Sequence, residues 1–377
     1  MTTPPPGWQP DRQPGPFPPH HGQPPGFDPQ PPPPPGWQQG PWQQPPQKGS
    51  SIKWLLIAVA VLLVIAISVG GTLLFTRDGG GGGATTSASS PPASDIASAG
   101  DTGPVGIITH EPTCKPFYGI NDALVDVQQN GWGGQHANLG PASSWTTEQR
   151  KQIEAVGTAT RNAADQFVAL ARETPHRVVR ELYEQFIAYG RAYADSFVDY
   201  VPADNAFADV NVSILNAIRG LCNAIEFQSA NRALAMPPGE PPSKIASVGD
   251  PADPERFAPA NASTCPSWDQ IEQAYRAGIV EWERVDSASV PATQWTPEQR
   301  AAHQAVLPVM TTFASGMEST GRQSGDPVFE DFALLAAAYV RAYVAAGDNY
   351  DNADSWLLYT ALRMTNSLSS ACKVATG

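Results

Sequence analysis

Trp145-Thr146-Thr147-Glu148-Gln149-Arg150 and Trp295-Thr296-Pro297-Glu298-Gln299-Arg300 are two versions of one phrase, 150 residues apart. The same offset pairs Trp132 with Trp282 and Tyr189-Gly190-Arg191-Ala192-Tyr193 with Tyr339-Val340-Arg341-Ala342-Tyr343. It also pairs Tyr200 with Tyr350, Asp204 with Asp354, Asn216 with Asn366 and Cys222 with Cys372. An ungapped register of about 90 residues is a duplication, and a fixed internal period constrains the fold before any local propensity does.

Each copy reads as four helices. Thr146 and Thr296 are N-caps with Gln three residues on, the pattern of a capping box. Pro297 takes the first helical position, where its missing N–H costs nothing. Val156, Ala159, Ala163 and Phe167 then recur at helical spacing, matched by Val306, Val309, Phe313 and Met317. Pro308 lies inside the second copy's helix and predicts a kink. A third helix follows the rhythm Val178, Leu182, Phe186, Tyr189, Tyr193, Phe197, and a fourth covers about Phe207 to Cys222 and Trp356 to Cys372. The first lies near Ile120 to Trp132 and Trp268 to Val285.

Cys114 and Cys222 stand 108 residues apart, and Cys265 and Cys372 stand 107 apart. In an up-down-up-down bundle the start of helix one and the end of helix four are neighbours. That register selects Cys114–Cys222 and Cys265–Cys372 from the three connectivities that four cysteines allow. Disulfides in turn imply an oxidising compartment.

Upstream of the duplication the composition changes. Nineteen of the first 50 residues are Pro, and Pro31 to Pro35 favour polyproline II. Residues 1–50 therefore read as a disordered Pro/Gln/Gly-rich tail, either a ligand for an aromatic groove of a cytoplasmic partner or a solvated chain with none. Trp54 to Phe75 carry no charge, enough to cross about 30 Å of hydrocarbon as a transmembrane helix, 54–75. Lys48 and Lys53 before it, with every cysteine after it, predict a cytoplasmic N-terminus and extracytoplasmic C-terminal domains at the plasma membrane. Residues 78–103 read as a Gly/Ser/Thr-rich tether, 104–235 as helical repeat 1, 236–262 as a Pro-rich linker and 263–377 as helical repeat 2. The fold class is thus all-α: a disordered tail, one transmembrane helix and tandem disulfide-closed bundles of about four helices each.

A formal charge of −13 argues against nucleic acid, whose phosphates need clustered Lys and Arg. No zincin, nucleophile-elbow, P-loop or Cys-x-x-Cys pattern is present. His110, His136, His176 and His303 do not align across the repeat and lack partners at ligand spacing, so the sequence predicts no metal and no cofactor. It predicts no catalytic residue either.

The candidate binding residues are the duplicated Tyr-x-Arg-Ala-Tyr strings: Tyr189, Arg191 and Tyr193, with Tyr339, Arg341 and Tyr343. One reading has the two arginines holding an anionic ligand in a cleft edged by tyrosine hydroxyls. The other has the tyrosines in the core and each arginine paired with a carboxylate of a neighbouring helix. Asp204 and Asp354 read as caps of helix four, and Trp145 and Trp295 as hydrophobic staples.

Six Lys against seventeen Arg, abundant Ala and the layout of residues 1–103 resemble the actinobacterial, mycobacteria-like single-pass envelope proteins with Pro-rich cytoplasmic tails. That resemblance implies a plasma-membrane location and no activity. The function expected is a non-enzymatic binding, interaction or sensor module for an envelope ligand or protein. The alternatives are an envelope hydrolase or transferase using acidic residues in an inter-helix pocket, or a purely structural tether.

Overall fold

The computed structural model describes residues 95–233, 239–285 and 287–376, and among them every regular element is a helix. Eight helices form the frame: α1 Cys114–Gln129, α2 Thr147–Glu173, α3 Arg177–Ser196 and α4 Asn205–Glu226, then α5 Thr264–Gly278, α6 Pro297–Gln323, α7 Pro327–Ala346 and α8 Ser355–Thr376. Three of the four pairs begin and end exactly one period apart. α1 and α5 start earlier than the apolar rhythm implies: α1 begins at Cys114 and α5 at Thr264, one residue before Cys265.

Local chemistry explains the shared boundaries. Thr146 Oγ1 accepts from Gln149 N while the Gln149 side chain accepts from Thr146 N, and Thr296 and Gln299 repeat the exchange. Two orphan N–H groups are satisfied at each start. The Trp145 indole donates to the Gly140 carbonyl and that of Trp295 to the Val290 carbonyl. Arg150 and Arg300 lie over those indoles and donate to the carbonyls of Ala142 and Ala292, 2.8 Å each. The duplicated phrase is therefore a corner that locks the entry to α2 and α6. α6 runs through Pro308 without ending.

Asp204 and Asp354 do not cap helix four. Their carboxylates turn back to Val201 N and Asp351 N, closing a short helical turn ahead of it, and Asp354 also takes Arg232 at 2.6 Å.

Both disulfides form as the register predicts, Cys114–Cys222 and Cys265–Cys372. The bundles are not separate tethered units, however. The described residues make one compact unit, and one hydrophobic core contains Phe117, Phe167, Leu182 and Ile218 from the first half with Phe329, Phe332, Tyr339 and Leu368 from the second. The seam is α4 against α8, running antiparallel: Gly220 meets Thr360, Phe227 stacks on Trp356, and Tyr359 reaches Asn216. At Gly220 a Cβ would lie 2.6 Å from Thr360 Oγ1 and 3.2 Å from the Thr360 backbone. Each helix four is apolar on two sides, one for its own bundle and one for the other half, and this is why the halves fuse.

The connecting segments also pack. Ile96 and Ser98 are buried, and Asp101 docks on α3, so the expected tether, 78–103, joins the fold from residue 95 on. From residue 239 on, the expected linker lies as a strap across both halves: Gln185 bonds Phe257 N, Arg191 donates to Ala252 O, and Phe257 sits among Tyr189, Phe329 and Phe332.

Among the described residues no helix is long and apolar enough to cross a membrane. Within the described residues, that finding stands against the expected membrane-spanning helix and against the plasma-membrane location and single-pass topology read from it. The charge-free stretch 54–75, the Pro-rich tail 1–50 and its cytoplasmic partner lie outside the described residues. The all-helical, duplicated and disulfide-closed character stands.

Two measurements check the frame. Gly220→Ala should lower stability by about 1–3 kcal/mol in denaturant melts through overpacking, although alanine is the better helix former by about 1 kcal/mol. A Cys265→Ser/Cys372→Ser chain should lose about 4–5 kcal/mol in the chain-entropy description of a loop of this length, and non-reducing peptide mapping of the native chain should recover both bridges within their own halves.

Candidate functional site

The Tyr-x-Arg-Ala-Tyr strings do not converge on one another. Tyr189 is buried and donates from its hydroxyl to the Phe257 carbonyl at 2.8 Å. The Tyr193 hydroxyl accepts from the Trp132 indole at 3.0 Å. Arg191 on α3 pairs with Asp165 on α2 at 2.8 Å. Arg341 on α7 pairs with Glu318 on α6. Tyr339 and Tyr343 are fully buried. In this arrangement the tyrosines fill core positions, and each arginine ties its helix to the preceding one.

Charge gathers instead where α3 meets α7, at positions that no motif marked. Arg177 grips Asp331 with Nε at 2.7 Å and Nη2 at 3.2 Å, and both side chains are almost wholly buried. Glu181 and Asp331, equivalent positions of the two copies, face each other across the junction. Arg180 lies 3.3 Å from Glu181 and 3.3 Å from Glu184. Burial raises the Glu181 carboxyl well above its ordinary range, and the nearby Asp331 charge adds to it. Burial likewise raises Asp331, against the pull of Arg177. Two carboxyls side by side out of water cannot both ionise cheaply, and burial with the Asp331 charge beside it favours the protonated form of Glu181.

The same junction supplies a cap in trans. The N-cap of α7 is Asp326, whose carboxylate takes Phe329 N at 2.8 Å. Its counterpart at α3 is His176, whose side chain caps nothing. Asp101 fills the role, accepting from Arg177 N at 2.7 Å, while Arg177 Nη1 donates to the Asp101 carbonyl. A helix start needs such an acceptor, and here it comes from a segment 76 residues earlier.

Beside the junction lies a polar cleft of about 340 Å³, framed by the strap residues Ser243, Lys244 and Asn261 and by Arg322, Asp326 and Glu330 around the α6–α7 turn. Glu330 is buried, and accepts from Ser243 N at 2.7 Å, from the Ser243 hydroxyl and from Arg322 at 3.3 Å. Arg322 reaches on to the carbonyls of Glu240 and Pro241. Asp326 holds Ala258 N besides capping α7, and burial raises its carboxyl above the usual range. Lys244 lies exposed at the edge. The first half has no equivalent, since Arg180 and His176 stand where the second has Glu330 and Asp326. Among the described residues no group of three His, Cys, Asp or Glu gathers as a metal site.

The sequence holds signals for the junction that only contact makes readable: Arg177, Arg180, Glu181 and Glu184 break an otherwise apolar helix face, as do Glu330 and Asp331 one period later.

The family model of mycobacterial ESX-1 associated protein matches residues 96–376. An uncharacterized protein of Mycolicibacterium smegmatis strain MKD8 is 39% identical over 343 residues, which is 89% of this chain and 90% of that protein. No solved structure matches the chain.

The junction makes a pH prediction. A carboxyl whose folded pKa lies above its unfolded value stabilises fully at pH below the unfolded value, and that contribution fades as pH rises toward the folded one. Glu181→Gln copies the protonated form, keeping a donor toward Asp331 and an acceptor toward Arg180. In denaturant melts from pH 5 to 8 the variant should gain on the native chain as pH rises; parallel curves would show that Glu181 is ionised in the fold. Arg177→Leu should cost about 3–5 kcal/mol, because it strands Asp331 unpaired.

Proposed function

The chain belongs to the mycobacterial ESX-1 associated protein family, and we propose that it works there as a non-enzymatic interaction module. Its fused halves are the rigid scaffold, and the strap-edged cleft is the place of contact. The observation that carries this reading is a division of labour within the duplication. The phrases that both copies keep are consumed by corners, caps and core packing. The cleft is assembled from strap residues and from Asp326 and Glu330, which only the second half possesses, around an arginine, Arg322, whose counterpart Arg172 makes no such cleft.

The chemistry of the cleft suits recognition. Its carboxylates are committed to backbone N–H groups and to Arg322, which fixes the wall and leaves no carboxyl poised beside a nucleophile. Lys244 at the rim, with the arginine behind it, favours a segment bearing acidic or carbonyl oxygens. The ESX-1 association in the family's description supplies the context in which such a segment is sought.

A photo-crosslinking amino acid at position 244 of the full chain, expressed in a mycobacterial host, tests this. The expected result is one discrete crosslinked species whose partner is identified as an ESX-1 component, and which is depleted at least about tenfold when the native chain competes from a second copy but not when Lys244→Glu does. Crosslinks spread over many proteins, or a partner present unchanged in cells lacking ESX-1, would refute the proposal.

A further inference from the structure

The two halves build one aromatic layer in different ways, and the difference points to a second site. In the first half the Trp–Tyr pair of the layer is closed, and only the Tyr200 hydroxyl is left without a partner. Trp132 donates to the Tyr193 hydroxyl at 3.0 Å, and the position beneath is filled by Ile153, buried and apolar. One period later stand Trp282, Tyr343 and His303. The Trp282 and Tyr343 rings keep the same edge-on relation, 6.3 Å between centroids against 6.1 Å in the first half, yet their hydrogen bond is not made.

The orphaned atoms go beyond that pair. The Trp282 indole N–H, the Tyr343 hydroxyl, both ring nitrogens of His303 and the Tyr275 hydroxyl all lack a protein hydrogen-bond partner. His303, Tyr343 and Tyr275 are 1%, 0% and 5% exposed. The groups are close neighbours. The His303 ring lies 4.3 Å from Trp295 and 5.9 Å from Tyr343, and Tyr275 and Tyr343 feel each other electrostatically. Tyr275 is also new to this half, since the first copy offers only Leu124 or Val125 at that level. Buried polar groups are nearly always partnered, and each exception calls for an explanation. Five such atoms in one layer, where the sister layer leaves only the Tyr200 hydroxyl unpartnered, share a single explanation.

We infer that the second half holds a binding site for a small uncharged hydroxyl compound, its hydrogen bonds supplied by Trp282, Tyr343, His303 and Tyr275. The donor set fits such a ligand: an indole donates only, while tyrosine hydroxyls and a neutral imidazole both donate and accept. Burial pushes the imidazole down to about 4, although Asp348 pulls the other way, so it is uncharged at neutral pH. The nearby ions are spent on each other, with Arg300 and Asp348 paired at 2.9 Å. A charged guest would find no counter-ion, whereas a hydroxyl finds donors, acceptors and aromatic walls. Trp282 is the half-exposed member and marks the way in.

Saturation-transfer NMR on the full chain tests the site, with glycerol as the probe and acetate and methylammonium as charged comparators. Glycerol should receive saturation from the native chain, and its apparent Kd should rise at least about tenfold in His303→Ile/Tyr343→Phe, which removes two partners. Trp132→Phe/Tyr193→Phe, the matching change in the first half, should leave glycerol binding as it was. If the double variant does not fold, His303→Ile alone, which borrows the first copy's residue, should weaken glycerol in the same direction. The inference fails if native and His303→Ile chains bind alike, or if the first-half variant loses binding equally. It also fails if the charged comparators bind as well as glycerol, or if oxygen-17 relaxation finds long-lived internal water while glycerol receives nothing, the polar atoms then serving hydration alone.

Discussion

The antiparallel contact of α4 with α8 is the constraint on which everything else rests. Each of these helices is the last of its bundle and carries the closing cysteine, so each is fixed to its own α1 or α5 by a covalent bond. Each also presents a second apolar side. Burying that side against the other half removes from water a surface too large for a small bundle to leave exposed. Gly220 opposite Thr360 sets how closely the backbones approach. Once that distance is set, α3 and α7 are brought together as well, and the strap has two surfaces to lie across.

The meeting of α3 and α7 shows what fusion demands electrostatically. A duplicated protein that joins through a pseudo-twofold brings equivalent positions face to face. Here both positions are acidic, Glu181 and Asp331. Like charges out of water would drive the halves apart, so the contact needs compensation: Arg177 grips one carboxylate, Arg180 lies beside the other acid, and burial raises the Glu181 carboxyl above its ordinary range. A hydrophobic pair would be simpler, and buried ion pairs often gain little over one. What the charged version adds is registry. Arg177 also reads Asp101, so α3, α7 and the incoming segment are set in one arrangement.

Divergence between the copies followed the geometry. Corners, N-caps and disulfides stayed alike because both halves still need them. Residues that face different surroundings differ: Asp326 caps α7 whereas His176 leaves the cap of α3 to Asp101, Glu330 stands at the position of Arg180 where the strap passes, and His303 stands at that of Ile153. The polar cleft and the aromatic layer of the second half both lie on such differing positions. Function in a duplicated scaffold is to be looked for there, away from the repeated phrases.

The sequence alone determined whatever depends on neighbours along the chain. The period located every long helix, the Thr-x-x-Gln boxes set two of the starts, and the cysteine register chose the bridges, because capping and helical spacing act over a few residues and the repeat multiplied the signal. Tyr189, Tyr193, Arg191 and Arg341 were visible as duplicated residues, but not as packing anchors. Only the tertiary structure decided that the halves share one core, that 95–103 and the strap are part of it, and that Arg177 meets Asp331. Those contacts join positions up to 154 residues apart. A repeat specifies each unit's interior; the way two units face each other is settled by surfaces that no single helix reveals.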